Sequence, residues 1–218
     1  MAWAGERRSL GAALLSRAVL MRGRRCRPRC GTLGGMAIRI LGINGGIRPG
    51  GTAERALRFT LRALEAEGAR CETFEIGALP ILDGRADDQY PAAVAAWRAA
   101  CTAADGFVLV VPSYHGGAPG SLKNALDFID LPHAAGKPFA VIGIAGGDAE
   151  PGVTDVTRVM RHIGGIAGVP DVVISRAGEH WGSGDDPANK SVAFAIAKVS
   201  DDLVALCTLR ADGKLPQP

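Results

Sequence analysis

GFVLVVPSYHGGAPGSLKNALD, residues 106–127, reads as a strand, a ligand loop and a helix in direct succession. GFVLVV (106–111) is apolar throughout, the mark of a parallel strand buried on both faces. Pro112 removes a donor and stiffens the exit, while Gly116 and Gly117 let the backbone approach a flat ligand closely. Pro119 and Gly120 then open a helix. Such a loop lies at the carboxyl end of a sheet, where open α/β sheets bind ligands. Upstream, IRILGI (38–43) leads through NGGIRPGGT (44–52) into another helix. Two ligand loops after two strands of one sheet point to a nucleotide-type cofactor.

Outward from these stretches the chain alternates strand and helix. AIRILGI (37–43) is the first strand, and the helix starting near Ala53 gathers Ala53, Ala56, Leu57, Thr60, Leu61 and Leu64 on one face. Gly68 ends it, and RCETFEI (70–76) is the second strand. A loop rich in Asp, Gly and Pro (77–91) precedes a helix through Val94, Trp97 and Cys101. The third strand is 106–111, and the 119–130 helix carries Leu122, Ala125, Leu126 and Ile129 on one face. PFAVIGI (138–144) is the fourth strand; a helix over 152–167 groups Val156, Val159, Met160 and Ile163; DVVIS (171–175) is the fifth strand. The loop 176–187 holds His180 and Trp181, and a last helix from about Pro187, with that proline in its first turn, buries Val192, Ile196, Val199, Leu203 and Leu206. This alternation gives one doubly wound domain with five parallel strands in the order 2-1-3-4-5. Its switch point falls between strands one and three, where the two loops emerge.

The 218 residues are 47% hydrophobic and 22% charged, enough for one good core, with aromatics at only 5%. The formal charge of +3 is unevenly spread: residues 1–35 hold eight arginines and one acid, while the remainder carries 17 basic and 21 acidic side chains, a net −4. The globular part is therefore mildly acidic and gives no argument for nucleic acid. The segment 1–35 has three readings: a broken secretory signal, an Arg-rich transit peptide, or a disordered extension ahead of a chain that begins at Met36. The third is favoured because MAIRILGI opens naturally on a strand. The domain proper is then 36–210, with a tail over 211–218. No run of about 18 apolar residues is present, so nothing is expected to span a membrane. Cys26, Cys30, Cys71, Cys101 and Cys207 form no disulfide framework, and Cys26-x3-Cys30 lacks a second ligand pair for zinc. Cys71, Cys101 and Cys207 are expected to pack as small apolar residues in a reducing cytoplasm.

NGGIRPGGT lacks the Lys-Ser/Thr ending of a P-loop and does not fit G-x-G-x-x-G. It remains a Gly-rich strand-to-helix turn with free N–H groups facing a helix N-terminus, suited to one terminal phosphate. Arg48 would add charge-assisted bonds and Thr52 a hydroxyl. The alternative is a tight turn with Thr52 as an ordinary N-cap.

These motifs together resemble the NADPH-dependent FMN reductases, flavodoxin-like flavoproteins that include azo and quinone reductases. GGIRPGGTAERAL (45–57) resembles the family's G-S-x-R-x-x-S phosphate loop. PSYHGGAPGSLKNALDFI (112–129) resembles its P-x-Y-x-x-x-x-P/S-G-x-L-K-N-x-x-D segment, and IAGGDAEPG (144–152) resembles its third loop. The likeness spans roughly residues 37–207. It implies FMN as cofactor, NADPH as co-substrate, and hydride transfer by the flavin itself with no catalytic side chain and no metal. The implied flavin contacts are Asn44, Gly45, Gly46, Arg48, Gly51 and Thr52 at the phosphate, and Pro112, Ser113, Tyr114, His115, Gly116 and Gly117 at one edge and face of the ring. Ala145, Gly146 and Gly147 would close the other side. His115 would act through its main chain rather than as a general acid. Lys123, Asn124 and Asp127 would support the loop and subunit packing. His180 and Trp181 read either as a cap over the active site or, the preferred reading, as part of a surface loop. Two serines expected by the resemblance fall on Gly46 and Gly51, which implies looser flavin retention, suited to passing reduced flavin to a partner such as a monooxygenase.

The resemblance further implies a homodimer or homotetramer with the site at the subunit interface. Two other readings stand beside the reductase: an electron-carrying flavodoxin, against which the modest −4 and the single flanking aromatic Tyr114 argue, and a flavin-free scaffold. Free flavin, quinones, azo dyes and metal oxyanions are all acceptors compatible with an exposed ring.

Overall fold

A computed structural model describes residues 37–215. The expectations for the 1–35 extension, for Met36 as a start and for Cys26 and Cys30 lie outside the described residues, as do residues 216–218.

Five parallel strands form one sheet: β1 (Arg39–Asn44), β2 (Arg70–Thr73), β3 (Gly106–Pro112), β4 (Phe139–Ile144) and β5 (Val172–Ile174), in the order β2-β1-β3-β4-β5. This is the doubly wound, flavodoxin-like topology expected. The helices are α1 (Thr52–Ala66), α2 (Ala92–Ala103), α3 (Gly120–Asp127), α4 (Leu131–Ala134), α5 (Glu150–His162) and α6 (Lys190–Ala211).

Alternation along the central strands sorts the core into two layers. Phe107, Leu109 and Val111 of β3 and Phe139 and Val141 of β4 pack with Trp97, Leu122, Leu126 and Met160, under α2, α3 and α5. Val108, Val110, Ala140, Ile142 and Ile144 point the other way, against Ala56, Leu57 and Leu64 of α1 and Ile196, Val199 and Leu203 of α6. Every residue of β3 and β4 is buried, as the unbroken apolar runs require. Aliphatic side chains fill most of the interior. The buried indole of Trp97 donates from Nε1 to the Ala125 carbonyl at 2.8 Å, tying α2 to α3.

Several boundaries differ from the sequence expectation. The second strand ends at Thr73 rather than residue 76, because Ile76 turns inward in a single 3₁₀ turn, Ile76–Ala78. The helix over 119–130 stops at Asp127, and the short α4 follows, capped by the Asp130 carboxylate. The helix placed at 152–167 runs from Glu150 to His162, with Pro151 in its first turn. Pro187 is not in the first turn of the last helix; it bridges to Trp181, and Asn189 caps α6 by accepting from the Ser191 N–H at 2.9 Å. Trp181 is buried at 4% exposure against the α1/α6 layer, so it is a core residue rather than part of a surface loop. Among the described residues no helix is long and apolar enough to cross a membrane.

Candidate functional site

The loops leaving β1, β3 and β4 converge at the carboxyl end of the sheet around an open cleft of about 300 Å³. Of the residues expected there, Asn44, Gly46, Arg48, Gly51, Thr52, Pro112, Ser113, Tyr114, Ala145 and Gly146 line it. Gly45, His115, Gly116, Gly117 and Gly147 stand behind or beside the lining. Ala53, Ile144 and Ala177 line it without having been singled out. The first two extend motifs already read; Ala177 arrives from the loop after β5, which carried no recognisable pattern.

The β1 loop is arranged by its backbone. The Gly45 N–H donates to the Val110 carbonyl at 2.8 Å, continuing the β1–β3 ladder, and its carbonyl accepts from Ser121 Oγ at 3.0 Å. A Cβ on Gly45 would come within 2.9 Å of Leu122 and 3.0 Å of the Val110 oxygen, so the close approach requires glycine. Asn44 Oδ1 accepts from the Gly46 N–H at 3.1 Å and fixes the turn.

Helix α1 then starts at Thr52 with Gly51 as its N-cap, in extended backbone and with no capping side chain. Thr52 is thus the first helical residue, not the cap. The N–H groups of Thr52, Ala53 and Glu54 precede the first bond of the helix, which runs from Arg55 to the Gly51 carbonyl. Thr52 and Ala53 border the cleft, so donors and the positive end of the helix dipole face it. The Glu54 carboxylate is drawn aside by the Gly50 N–H at 2.6 Å and by Arg58 at 2.5 Å. Arg48 is exposed; its carbonyl accepts from the Gly51 N–H at 3.4 Å, and its guanidinium has no hydrogen-bonded or ion-pair partner among the described residues.

The β3 loop closes with a two-residue hairpin turn. Tyr114 and Gly117 exchange backbone hydrogen bonds at 2.9 and 3.1 Å, and His115 and Gly116 between them have φ of 51° and 78°. Both values are positive, as a type I′ turn demands. The turn is anchored on α5, where Asp155 Oδ2 accepts from the Ala118 N–H at 3.1 Å. Ser113 donates its N–H to the Ile144 carbonyl at 3.2 Å, while its buried hydroxyl has no partner. The β4 loop is held from behind: Arg176 and Ala177 donate backbone N–H groups to the carbonyls of Gly147 and Ala145 at 3.0 and 2.8 Å. Gly146 and Gly147 are exposed, and a Cβ on either would meet nothing within 4 Å.

Two further loops are held by the helices that follow the β1 and β3 loops. Asn124 of α3 supports the 77–91 segment, accepting from the Leu82 N–H at 2.9 Å and donating to the Pro80 carbonyl at 2.8 Å. Tyr90 organises the same segment, its hydroxyl accepting from the N–H groups of Asp83 and Gly84, both at 3.2 Å. Lys123 pairs with Asp127 on α3 itself. On the other side, three arginines of α1 hold the segment 182–186: Arg55 donates to the carbonyls of Gly182 and Gly184, Arg58 pairs with Asp185 at 2.7 Å, and Arg62 pairs with Asp186. The Arg58 hydrogen bond holds the Asp185 carboxyl below the usual aspartate range.

The chemistry of this lining is narrow. Among the described residues its only charged side chain is Arg48, and no described carboxylate, histidine, lysine or cysteine borders the cleft. Such a surface is suited to binding and orienting an anionic ligand, with bond-making left to the ligand. A phosphate suits the helix terminus with Arg48 and Thr52, and a flat ring suits the unobstructed glycines and the unpartnered Ser113 hydroxyl. The residues present therefore fit FMN.

Fold and site together define a flavodoxin-like protein with a glycine-rich turn and a helix N-terminus facing the cleft after its first strand. The signature of the NADPH-dependent FMN reductase family matches residues 38–178, and the chain belongs to that family. It is 28% identical over 150 residues to the 2-hydroxy-1,4-benzoquinone reductase of a Burkholderia species, spanning 67% of this chain and 79% of that protein. It is 28% identical over 129 residues to the NADPH azoreductase of Bacillus sp. strain OY1-2, spanning 59% of this chain and 70% of that one. Among solved structures, the flavoenzyme NAD(P)H:(acceptor) oxidoreductase of Paracoccus denitrificans superposes with a TM-score of 0.69 at 21% identity, over 79% of this chain and 98% of its own. That likeness concerns the fold.

Proposed function

We propose that this protein is an NAD(P)H-dependent flavin reductase that holds FMN in the cleft between the β1, β3 and β4 loops, with NADPH as co-substrate. The observation that carries the reading is a cleft with one cation, a free helix N-terminus and no acid–base side chain. Bound FMN would supply the redox chemistry, taking a hydride from the nicotinamide and passing electron pairs to an acceptor. The protein's own contribution is positional. The N–H groups at the start of α1, Arg48 and Thr52 hold the phosphate. Ser113 and the backbone of the 112–117 loop meet the ring edge, and Gly146 and Gly147 leave one face approachable. With glycine at residues 46 and 51 the phosphate receives fewer hydroxyl donors, which favours exchange of flavin with solution and delivery of the reduced form to an acceptor such as a monooxygenase.

The assembly is proposed to be a homodimer or homotetramer with the cleft at the interface. Ile47 and Tyr114, in the loops that line the cleft, are 64% and 51% exposed; Ile47 lies against Gly77, and Ile81 and Leu82 of the same 77–91 segment are 72% and 39% exposed, an apolar set proposed as the rim of the site. A second copy of the chain would cover this apolar rim and wall the open side. A cytoplasmic location fits the unpaired thiols of Cys71, Cys101 and Cys207.

The second reading is a quinone or azo reductase that keeps its FMN, favoured by the names of the Burkholderia and Bacillus relatives. NADPH oxidation by purified protein, with and without added FMN at fixed oxygen, separates the two. Saturable turnover that rises with FMN is expected. Turnover that needs a quinone or azo dye on tightly held FMN would establish the second reading instead, and no oxidation under either condition would overturn both.

A further inference from the structure

The phosphate loop lacks two hydroxyls, yet the one it retains is held in an unusual way. Thr52 Oγ1 accepts a hydrogen bond from Arg55 Nη2 at 3.2 Å. A guanidinium has five donors and no acceptor, so the threonine's own proton cannot return to it. No described residue accepts that proton either. Thr52 borders the cleft beside the Gly51 N-cap and the free N–H groups of α1. A hydroxyl with one lone pair fixed by a cation presents its proton to whatever acceptor enters the cleft. The polarisation strengthens it as a donor.

Arg55 is itself held in register from outside the loop. Its Nη1 donates to the Gly182 carbonyl at 2.6 Å and the Gly184 carbonyl at 3.0 Å. Those carbonyls are kept in place by the Arg58–Asp185 and Arg62–Asp186 pairs and by Trp181, whose buried indole donates from Nε1 to the Asp185 carbonyl at 3.0 Å. The guanidinium therefore has one orientation, with one nitrogen on the 182–184 backbone and the other on Thr52. Its buried Nε makes no hydrogen bond. Two carbonyls and one hydroxyl accept its hydrogen bonds, and the Asp185 carboxylate lies within its electrostatic reach.

We infer that Arg55 is a positioning residue that turns Thr52 into the hydroxyl donor for the flavin phosphate, replacing what Gly46 and Gly51 cannot supply. The inference rests on the flavin reading above. It makes the 182–186 segment, remote in sequence, part of phosphate recognition, because that segment orients the arginine.

The test compares FMN with riboflavin, which carries the same ring without the phosphate. Dissociation constants come from flavin fluorescence titration of the wild type, Arg55→Gln, Thr52→Val, Thr52→Ser and the Arg55→Gln/Thr52→Val double variant. Arg55→Gln and Thr52→Val are each expected to weaken FMN about tenfold and to leave riboflavin within about twofold. The double variant should lose no more than Thr52→Val alone, and Thr52→Ser should retain wild-type selectivity. Equal weakening of both flavins by Arg55→Gln, or no weakening of FMN, overturns the inference, as does a fully additive double variant. If Arg55→Gln does not fold, unchanged FMN selectivity in Thr52→Val overturns it alone. A wild type that binds neither flavin would instead overturn the flavin reading on which the inference depends.

Discussion

His115 holds a backbone conformation, φ 51°, that few side chains other than Asn, Asp and His adopt. Its place in the β3 loop is a turn position, and the imidazole is absent from the cleft lining. His115→Asn should therefore keep the turn, and steady-state kcat should stay within about twofold of wild type across pH 6–8, because Asn also tolerates positive φ. A loss beyond tenfold with a new pH dependence would restore the imidazole as an acid. A second expectation at this scale concerns thiols. Burial pushes the Cys71 thiol up to about 11 and the Cys207 thiol up to about 12, so both are neutral at ordinary pH. Alkylation of Cys71 by iodoacetamide, followed by peptide mass spectrometry, should rise through about pH 11 rather than near the ordinary value of 9.0. The sign follows from desolvation, which penalises the thiolate and leaves the thiol unaffected.

At the scale of elements, the packing of α5 on β4 is decided by Gly143. A Cβ there would stand 2.2 Å from Val153 Cγ2 and 3.1 Å from the Ala149 carbonyl, and α5 starts directly above it. Gly143→Ala should destabilise the fold by about 1–3 kcal/mol in chemical denaturation. Adding Val153→Ala should recover much of the loss, whereas a fully additive pair would mean that the helix is positioned by other contacts. The helix also carries Gly152 against Ser113, so the shift should be felt in the β3 loop.

The same scale shows what the sequence could and could not reveal. The strands β3 and β4 were legible because unbroken apolar runs have one explanation in a helix-flanked sheet. The β1 and β3 loops were legible because Gly and Pro at strand exits have few uses. Boundaries drifted where a different residue won: Asn189 capped α6 although Pro187 suited a first turn, and Ile76 left the second strand to reach the core. Trp181 and the arginine-held 182–186 segment were illegible, since Arg55, Arg58 and Arg62 look like an ordinary solvated helix face. Their partners lie more than a hundred residues away. Periodicity reports the face of a helix, not what crosses it.

At the scale of the whole molecule, the proposed assembly rests on the exposed apolar side chains of Ile47, Ile81, Leu82 and Tyr114. Ile81 is the most exposed large aliphatic there, and no described residue covers it. Ile81→Glu would place a charge in the proposed interface without touching the core or the cleft lining. The expected outcome is a shift from dimer or tetramer to monomer in analytical ultracentrifugation, with reductase turnover falling in parallel. A wild type that sediments as a monomer would remove the interface from the functional reading.

The walls of the cleft come from residues 44–53, from 112–114, from 144–146 and from Ala177, stretches that meet only when β1, β3 and β4 lie side by side. A site assembled from such distant stretches exists only in the folded chain, so ligand binding is thermodynamically linked to global folding. Added FMN should then act as a chemical chaperone, raising the melting temperature with the logarithm of its concentration once it exceeds the dissociation constant. A cell that is short of flavin would accordingly hold less of this protein in its native state.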